Sequence, residues 1–148
     1  MYEEKDETYN CYIYKSKSRE YLILGSSSTL TSEYRILEAD HPENEFRVFQ
    51  ERIRGLEYSI SHFGDHFFIL TNKDRATNFK LMRTPVAKTK KENWEIVIDH
   101  REDYLLEDID IFHDFLVVSE RHNGLNKIKI INWETEESYY LPFDNETY

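Results

Sequence analysis

Apolar and polar residues alternate with a period of two along almost the whole chain. Pairs such as Tyr12/Tyr14 and Ile128/Ile130 each enclose a residue of different character, which is the pattern of a strand with one buried face. The clusters between such runs are rich in turn-forming residues: Lys15-Ser16-Lys17-Ser18, Phe63-Gly64-Asp65, Asn72-Lys73-Asp74-Arg75 and Asn123-Gly124. One segment, from Pro85 to Asn93, has some helical character, but its shortness and its lysines favour a loop. The pattern predicts an all-β chain.

A unit of four strands occurs three times. Predicted first strands are 11–14, 57–60 and 108–111, and second strands are 21–24, 67–70 and 115–118. Third strands are 34–37, 79–82 and 127–130, and fourth strands are 46–49, 94–97 and 138–141. The equivalent positions Tyr12, Tyr58 and Ile109 are 46 and 51 residues apart. Four strands repeated at about 45–50 residues are typical of β-propeller blades.

The repeat divides residues 1–148 into three antiparallel blades, at about 9–52, 53–103 and 104–143. The second strand of each unit is the most apolar, as expected where neighbouring blades cover both of its faces. The fourth is more polar, as expected for an outer edge. A β-sandwich of about twelve short strands is the alternative, although a sandwich gives no reason for one four-strand unit to recur.

Three blades are fewer than the roughly four to eight of a closed propeller. Either several copies of the chain close a ring, or the chain is part of a longer polypeptide. We expect the second, a partial propeller whose native partner is the rest of its own polypeptide. The apolar faces of its end blades should then drive self-association at micromolar concentration. Sedimentation that showed only monomer would contradict three open blades.

The net charge restricts the possible binding partners, and the cysteine content indicates the cellular location. The chain has 19 basic and 29 acidic residues, a formal charge of −10, which argues against nucleic acid or an anionic membrane as the main partner. No apolar run approaches the roughly 20 residues of a membrane span. The single cysteine, Cys11, excludes an intramolecular disulfide and favours a reducing, cytoplasmic location.

Motifs for catalysis are weak. The string from Gly25 to Thr29 lacks the second glycine of a nucleophile elbow, and a hydroxyl-rich hairpin between two strands is the simpler interpretation. Cys11 is expected to be a small buried apolar residue rather than a nucleophile. His62 and His66 flank a predicted hairpin turn, so helix-type metal spacing does not apply. We therefore assign no catalytic, cofactor-binding or metal-binding residue, and no cofactor.

The charged clusters have simple interpretations as well. Asp99-His100-Arg101-Glu102-Asp103 and Leu106-Glu107-Asp108 are expected to be acidic loops on a solvated rim. The basic cluster Lys88-Thr89-Lys90-Lys91 is expected to be a solvated loop rather than a binding patch.

Several short strings in a characteristic order span nearly the whole chain: Ser26-Ser27-Ser28, Thr31-Ser32-Glu33, Arg54-Gly55-Leu56-Glu57-Tyr58-Ser59-Ile60, Gly64-Asp65, Phe68-Ile69-Leu70-Thr71-Asn72, Asn78-Phe79-Lys80-Leu81, Pro85-Val86, Trp94, Leu105-Leu106-Glu107-Asp108-Ile109-Asp110, Phe112, Leu116-Val117-Val118-Ser119-Glu120-Arg121 and Gly124-Leu125. Together they resemble the propeller of the prolyl oligopeptidase family of serine peptidases, and within it the oligopeptidase B branch.

The resemblance implies a seven-bladed parent propeller that covers an α/β-hydrolase domain with a Ser-Asp-His triad. It implies cleavage of short peptides after Arg or Lys, with the propeller gating peptide access. No part of the hydrolase domain matches this sequence, so the chain is expected to be inactive alone. The alternative is a free-standing propeller-like module that binds peptides or proteins without catalysis.

The acidic surface suggests a role in attracting cationic peptides. We expect neutralisation of Glu102, Asp103, Glu107 and Asp108 in the full enzyme to lower kcat/KM for Arg and Lys peptides at low salt.

Overall fold

The structure is a computed structural model that describes residues 10–28 and 31–142. These residues form three separate four-stranded antiparallel sheets, each with its strands in sequential order. The first sheet contains β1 (Asn10–Lys15), β2 (Tyr21–Ser27), β3 (Ser32–Glu38) and β4 (Arg47–Gln50). The second contains β5 (Tyr58–Phe63), β6 (His66–Thr71), β7 (Lys80–Pro85) and β8 (Glu95–Ile98). The third contains β9 (Leu105–Ile111), β10 (Phe115–His122), β11 (Leu125–Asn132) and β12 (Ser138–Tyr140).

This topology confirms the predicted all-β architecture of propeller blades, and it differs from the two-sheet sandwich alternative. Each sheet is a four-strand meander, and we call the three sheets the first, second and third blade. Two 3-10 turns, Lys73–Arg75 and Lys91–Asn93, are the helical segments of the described residues. The predicted outer limits of the repeats, Tyr9 and Phe143, lie outside the described residues, so those limits stay predictions.

Two tight hairpins fix the register of the second and third blades. Phe63 pairs with His66 across Gly64, whose φ is +61°. His122 pairs with Leu125 across Asn123-Gly124, where φ is +52° and +76°. Positive φ at both central residues of the Asn123-Gly124 hairpin is the geometry of a type I′ turn, and positive φ at the first central residue alone, as at Gly64, is that of a type II′ turn. Both turns have a twist that matches the strands they join.

An aromatic cluster fills the space between the first and second blades. Phe49 of β4 packs edge-on against Phe67 of β6, with ring centroids 5.1 Å apart. Tyr58 of β5 lies 5.1 Å from Tyr34 of β3 and 5.6 Å from Trp94. All five side chains are buried, so the high aromatic content of the sequence serves the packing of one blade on the next.

An aliphatic cluster joins the second and third blades. Leu70 and Leu81 of the second blade pack with Leu106, Leu116 and Val118 of the third. The second strand of the middle blade, β6, is buried at five of its six positions, as expected for a strand covered on both faces. The outer strands β8 and β12 are mostly exposed.

The Lys88–Lys91 segment is not the solvated loop that the sequence predicts. Thr89 is buried and donates a hydrogen bond to the carbonyl of Phe49, 2.7 Å away. The Lys90 ammonium lies 2.7 Å from Glu51 and also donates to the carbonyl of Val48. The segment therefore joins the second blade to the outer strand of the first, because its polar groups satisfy backbone acceptors there.

Of two further predictions about the first blade, one is wrong and the other is confirmed only in part. Cys11 is exposed, because β1 is exposed at every position in the described part of the chain. The string that begins at Gly25 is a hairpin only at its end: β2 continues through Ser27 and Ser26 is buried, whereas Ser28 lies between β2 and β3 and donates its backbone N–H to the carbonyl of Thr31; Thr29 lies outside the described residues. Among the residues that the structure describes, Ile13 of β1 and Tyr139 of β12 are the most exposed large apolar side chains, each 60% exposed. The predicted self-association stays a prediction.

Candidate functional site

The first strands of the three blades converge on one cleft. It has a volume of about 280 Å³, and β1, β5 and β9 all contribute to its walls. We call these three strands the inner strands. Tyr14, Ile60 and Ile109 form apolar walls, and Asp110 and Lys17 place opposite charges at the side where the hairpins turn. The three hairpins β1–β2, β5–β6 and β9–β10 surround this side, which we call the channel mouth.

An ion pair crosses the channel mouth from the first blade to the third. The Lys17 Nζ lies 2.7 Å from Asp110 Oδ1, although the two residues are 93 positions apart. The same Nζ lies 3.7 Å from the centroid of the Phe112 ring. Lys17 is 53% and Asp110 58% exposed, so water screens the pair and the net stabilisation is small.

A buried histidine lies beneath the channel mouth. His62 of β5 is 3% exposed, and its Nδ1 is 2.7 Å from the Ser18 hydroxyl. Burial lowers the pKa of His62, and the attraction of the Glu20 carboxylate only partly opposes that shift. Its ring is therefore neutral near pH 7, and the side chain joins the β1–β2 turn to the second blade.

Ser18, His62 and Glu20 do not form a catalytic triad. The Glu20 carboxylate lies 3.8 Å from Nδ1, the same ring nitrogen that contacts Ser18. A charge-relay arrangement needs the serine and the carboxylate on opposite ring nitrogens. The cluster therefore lacks the geometry for nucleophilic catalysis, and it orders the turn instead.

The pair His62 and His66 is also unsuited to binding one metal ion. Phe63 pairs directly with His66, so His66 shares a sheet face with Phe63 and lies on the opposite face from His62. Among residues 10–28 and 31–142, no group of three His, Cys, Asp or Glu side chains is arranged to hold a metal ion. Within the same ranges no helix is long and apolar enough to cross a membrane.

Of the two predicted acidic loops, residues 99–103 do connect β8 to β9, but the second prediction is wrong, because residues 106–108 lie within β9 and Leu106 is buried. Glu102, Asp103 and Asp108 face solvent. Glu107 lies 3.2 Å from the Arg121 guanidinium, so part of this charge is neutralised within the third blade. The remaining carboxylates add to the negative potential of the chain near β9.

A buried carboxylate network was missed by the sequence analysis. Glu120 of β10 is 0% exposed, and it pairs with the Arg101 guanidinium and accepts a hydrogen bond of 2.7 Å from the Tyr140 hydroxyl. Arg101 also lies 4.2 Å from the Tyr104 ring. Burial lowers the pKa of nearby Lys129, and the positive charge of Arg101 adds to the effect. The network anchors the connection between β8 and β9 to the third blade, because Arg101 of that connection and Tyr140 of β12 share the Glu120 carboxylate.

Comparison with known proteins identifies the same architecture. A family profile described as the prolyl oligopeptidase N-terminal β-propeller domain matches residues 1–146. Dipeptidyl aminopeptidase BI of Pseudoxanthomonas mexicana is 34% identical over 94% of this chain and 19% of its own length. Protease 2 of Moraxella lacunata is 35% identical over 89% of this chain and 19% of its own length. The chain thus spans about a fifth of the curated relatives that it matches.

Solved structures agree with the sequence relatives. Oligopeptidase B from Leishmania major superposes with a TM-score of 0.90 and 26% identity, over 97% of this chain and 21% of that one. The match to the family profile covers nearly every residue, and the three meander sheets have the arrangement of propeller blades. The chain belongs to the prolyl oligopeptidase family and forms part of its N-terminal β-propeller domain.

Proposed function

We propose that this chain lines the peptide entry route of a serine peptidase that cleaves short peptides after Arg or Lys. In this proposal the hydrolase domain belongs to the same polypeptide and carries all the chemistry. The chain by itself is inactive and the full protein is cytoplasmic. Family membership supports a peptidase context, and the absence of triad geometry at Ser18, His62 and Glu20 agrees with a non-catalytic role for these residues.

The observation that carries the gating role is the ion pair across the channel mouth. A lysine side chain of the first blade reaches a carboxylate of the third with 2.7 Å between the charged atoms. The inner ends of these blades are therefore within side-chain reach of each other. In this proposal the pair narrows the entry between the first and third blades, so that the propeller admits short peptides and excludes folded domains.

The charge of the chain supports the preference for basic residues. The formal charge is −10, and Asp108 and Asp110 lie on the inner strand β9. An acidic entry surface raises the local concentration of cationic peptides and speeds their arrival.

A reversible cross-link across the channel mouth tests the proposal in the full polypeptide that contains this chain. The variant carries Lys17→Cys and Asp110→Cys for a reducible bifunctional thiol reagent, with the exposed Cys11 changed to Ser. We expect the cross-link to lower kcat/KM for a multi-residue peptide with one Arg by about tenfold or more. A single blocked arginyl amide should be hydrolysed at nearly the original rate, because it is much smaller, and a reducing agent should restore peptide cleavage.

Single-cysteine variants treated with the same reagent are the matched controls. The proposal fails if the full polypeptide does not prefer Arg and Lys peptides over an alanine analogue. It also fails if the cross-link leaves peptide cleavage unchanged, or if the 148-residue chain alone hydrolyses the peptides. A reading frame without a hydrolase domain would favour the free-standing binding module.

A further inference from the structure

We propose that Asp110 and Phe112 form a binding site for the cationic side chain of an incoming peptide, and that Lys17 occupies this site as an internal competitor. The inference rests on the proposed function, since it takes a substrate side chain as the competing cation. It adds a defined subsite to the channel mouth and a reason for the ion pair found there.

The contacts of Lys17 are those that recognise an ammonium group. A carboxylate oxygen lies 2.7 Å from Nζ and the centroid of an aromatic ring lies 3.7 Å from it. A carboxylate provides a charge-assisted hydrogen bond, and the face of an aromatic ring attracts the same cation. A lysine or arginine side chain of a peptide would meet the same two groups.

The Asp110 carboxylate and the Phe112 ring lie on the same side of the chain at the end of β9. Asp110 and Phe112 flank Ile111, which is buried, while both of them are exposed. The Phe112 N–H donates to the carbonyl of Phe115, and the Trp133 indole N–H donates to the carbonyl of Phe112, at 2.9 and 2.8 Å. These bonds fix the site within the third blade, without any contribution from Lys17.

Lys17, by contrast, is suited to leave the site. It lies in the turn between β1 and β2, and more than half of its side chain is exposed. An exposed ion pair contributes little net free energy because solvent and salt screen it. A peptide cation that also gains contacts elsewhere in the cleft can therefore displace it.

The test measures binding to the 148-residue chain with N-acetyl-Gly-Lys-Gly amide as the probe. Trp133 fluorescence reports binding, because its indole is bonded to the backbone of Phe112. We expect Lys17→Ala to bind the probe about fivefold more tightly than the original chain, which corresponds to about 1 kcal/mol and is the upper range for removing an exposed ion pair. Adding Asp110→Asn to Lys17→Ala should reverse that gain, and adding Phe112→Leu should reverse part of it.

Matched variants separate this site from a general charge effect. Lys88→Ala removes the same charge at an exposed position of the second blade that does not line the cleft, and Asp40→Asn neutralises an exposed carboxylate of the first blade that does not line it either. Neither should change the affinity more than about twofold. Circular dichroism establishes that each variant keeps its strands.

Three results would overturn the inference. Lys17→Ala could bind the probe no more tightly than the original chain, or Lys88→Ala could show the same gain. A norleucine analogue of the probe could bind as well as the lysine form. Because these titrations involve no hydrolysis, such results count against the cation site alone, whereas failure to cleave Arg and Lys peptides in the full polypeptide counts against the proposed function.

Discussion

The hydroxyl group of Tyr58 should contribute more to stability than that of any exposed tyrosine. It accepts a hydrogen bond from the backbone N–H of Tyr34 and donates one to the carbonyl of Gln50, both at 2.8 Å. These two backbone groups flank a bulge, since the register between β3 and β4 shifts immediately after the pair Tyr34–Gln50. The Tyr58 hydroxyl, which belongs to the second blade, therefore takes the place of a backbone hydrogen bond between β3 and β4 of the first blade that the bulge disrupts.

Tyr58→Phe keeps the ring and removes both bonds. Its hydroxyl is buried, and burial raises the pKa of Tyr58, so the group is a neutral phenol under all ordinary conditions. Each buried backbone group left without a partner costs about 1–3 kcal/mol. We expect the variant to lose about 2–4 kcal/mol of unfolding free energy, or about 5–10 °C in Tm.

Urea denaturation followed by tryptophan fluorescence measures this loss, since the Trp94 ring lies 5.6 Å from Tyr58. The control is Tyr139→Phe, because that ring is 60% exposed; its loss should stay within about 0.5 kcal/mol. If the two variants lost the same free energy, the bridging role of the Tyr58 hydroxyl would be refuted.

Two further predictions concern buried ionisable groups. Glu120→Gln should cost about 2–3 kcal/mol in urea denaturation, because it leaves the partly buried Arg101 without its counter-charge; a loss below about 0.5 kcal/mol would contradict the network. For His62 the folded-state pKa is lowered by burial, so the unfolded chain binds more protons as the pH falls through about 6.5. Stability should therefore decrease on acidification from pH 7.5 to 5.5, and His62→Gln should flatten that part of the pH profile.

Local periodicity was sufficient to predict the strands. All twelve predicted strands overlap observed ones, because alternation of apolar and polar residues reflects a single sheet face and needs no knowledge of distant contacts. The Gly25–Ser27 segment was misplaced because serines favour turns locally, whereas here they extend β2 against β3. The position of Cys11 was wrong for a different reason: its burial depends on what covers β1, and no local pattern contains that information.

The channel mouth could not be predicted because it depends on contacts between repeats. Lys17 and Asp110 belong to a predicted turn and a predicted strand, and nothing nearby in the sequence links them. Their contact arises only when blades one and three are placed around the same cleft. The same holds for Thr89, whose bond to the carbonyl of Phe49 joins neighbouring blades.

Alignment of the three repeats with one another does point to Glu120, the carboxylate that the sequence analysis missed. When the second strands are aligned on Tyr21, Phe67 and Phe115, the sixth position is polar in every blade, as Ser26, Asn72 and Glu120. In the second blade Asn72 accepts a hydrogen bond from the backbone N–H of Glu57 and donates to the carbonyl of Gly55. In the third blade, Glu120 pairs with the Arg101 guanidinium and accepts a hydrogen bond from the Tyr140 hydroxyl. In the second and third repeats, the polar residue that ends an apolar run is therefore the place where a blade binds the connection before it, and the third blade uses a charge there because its partner is an arginine.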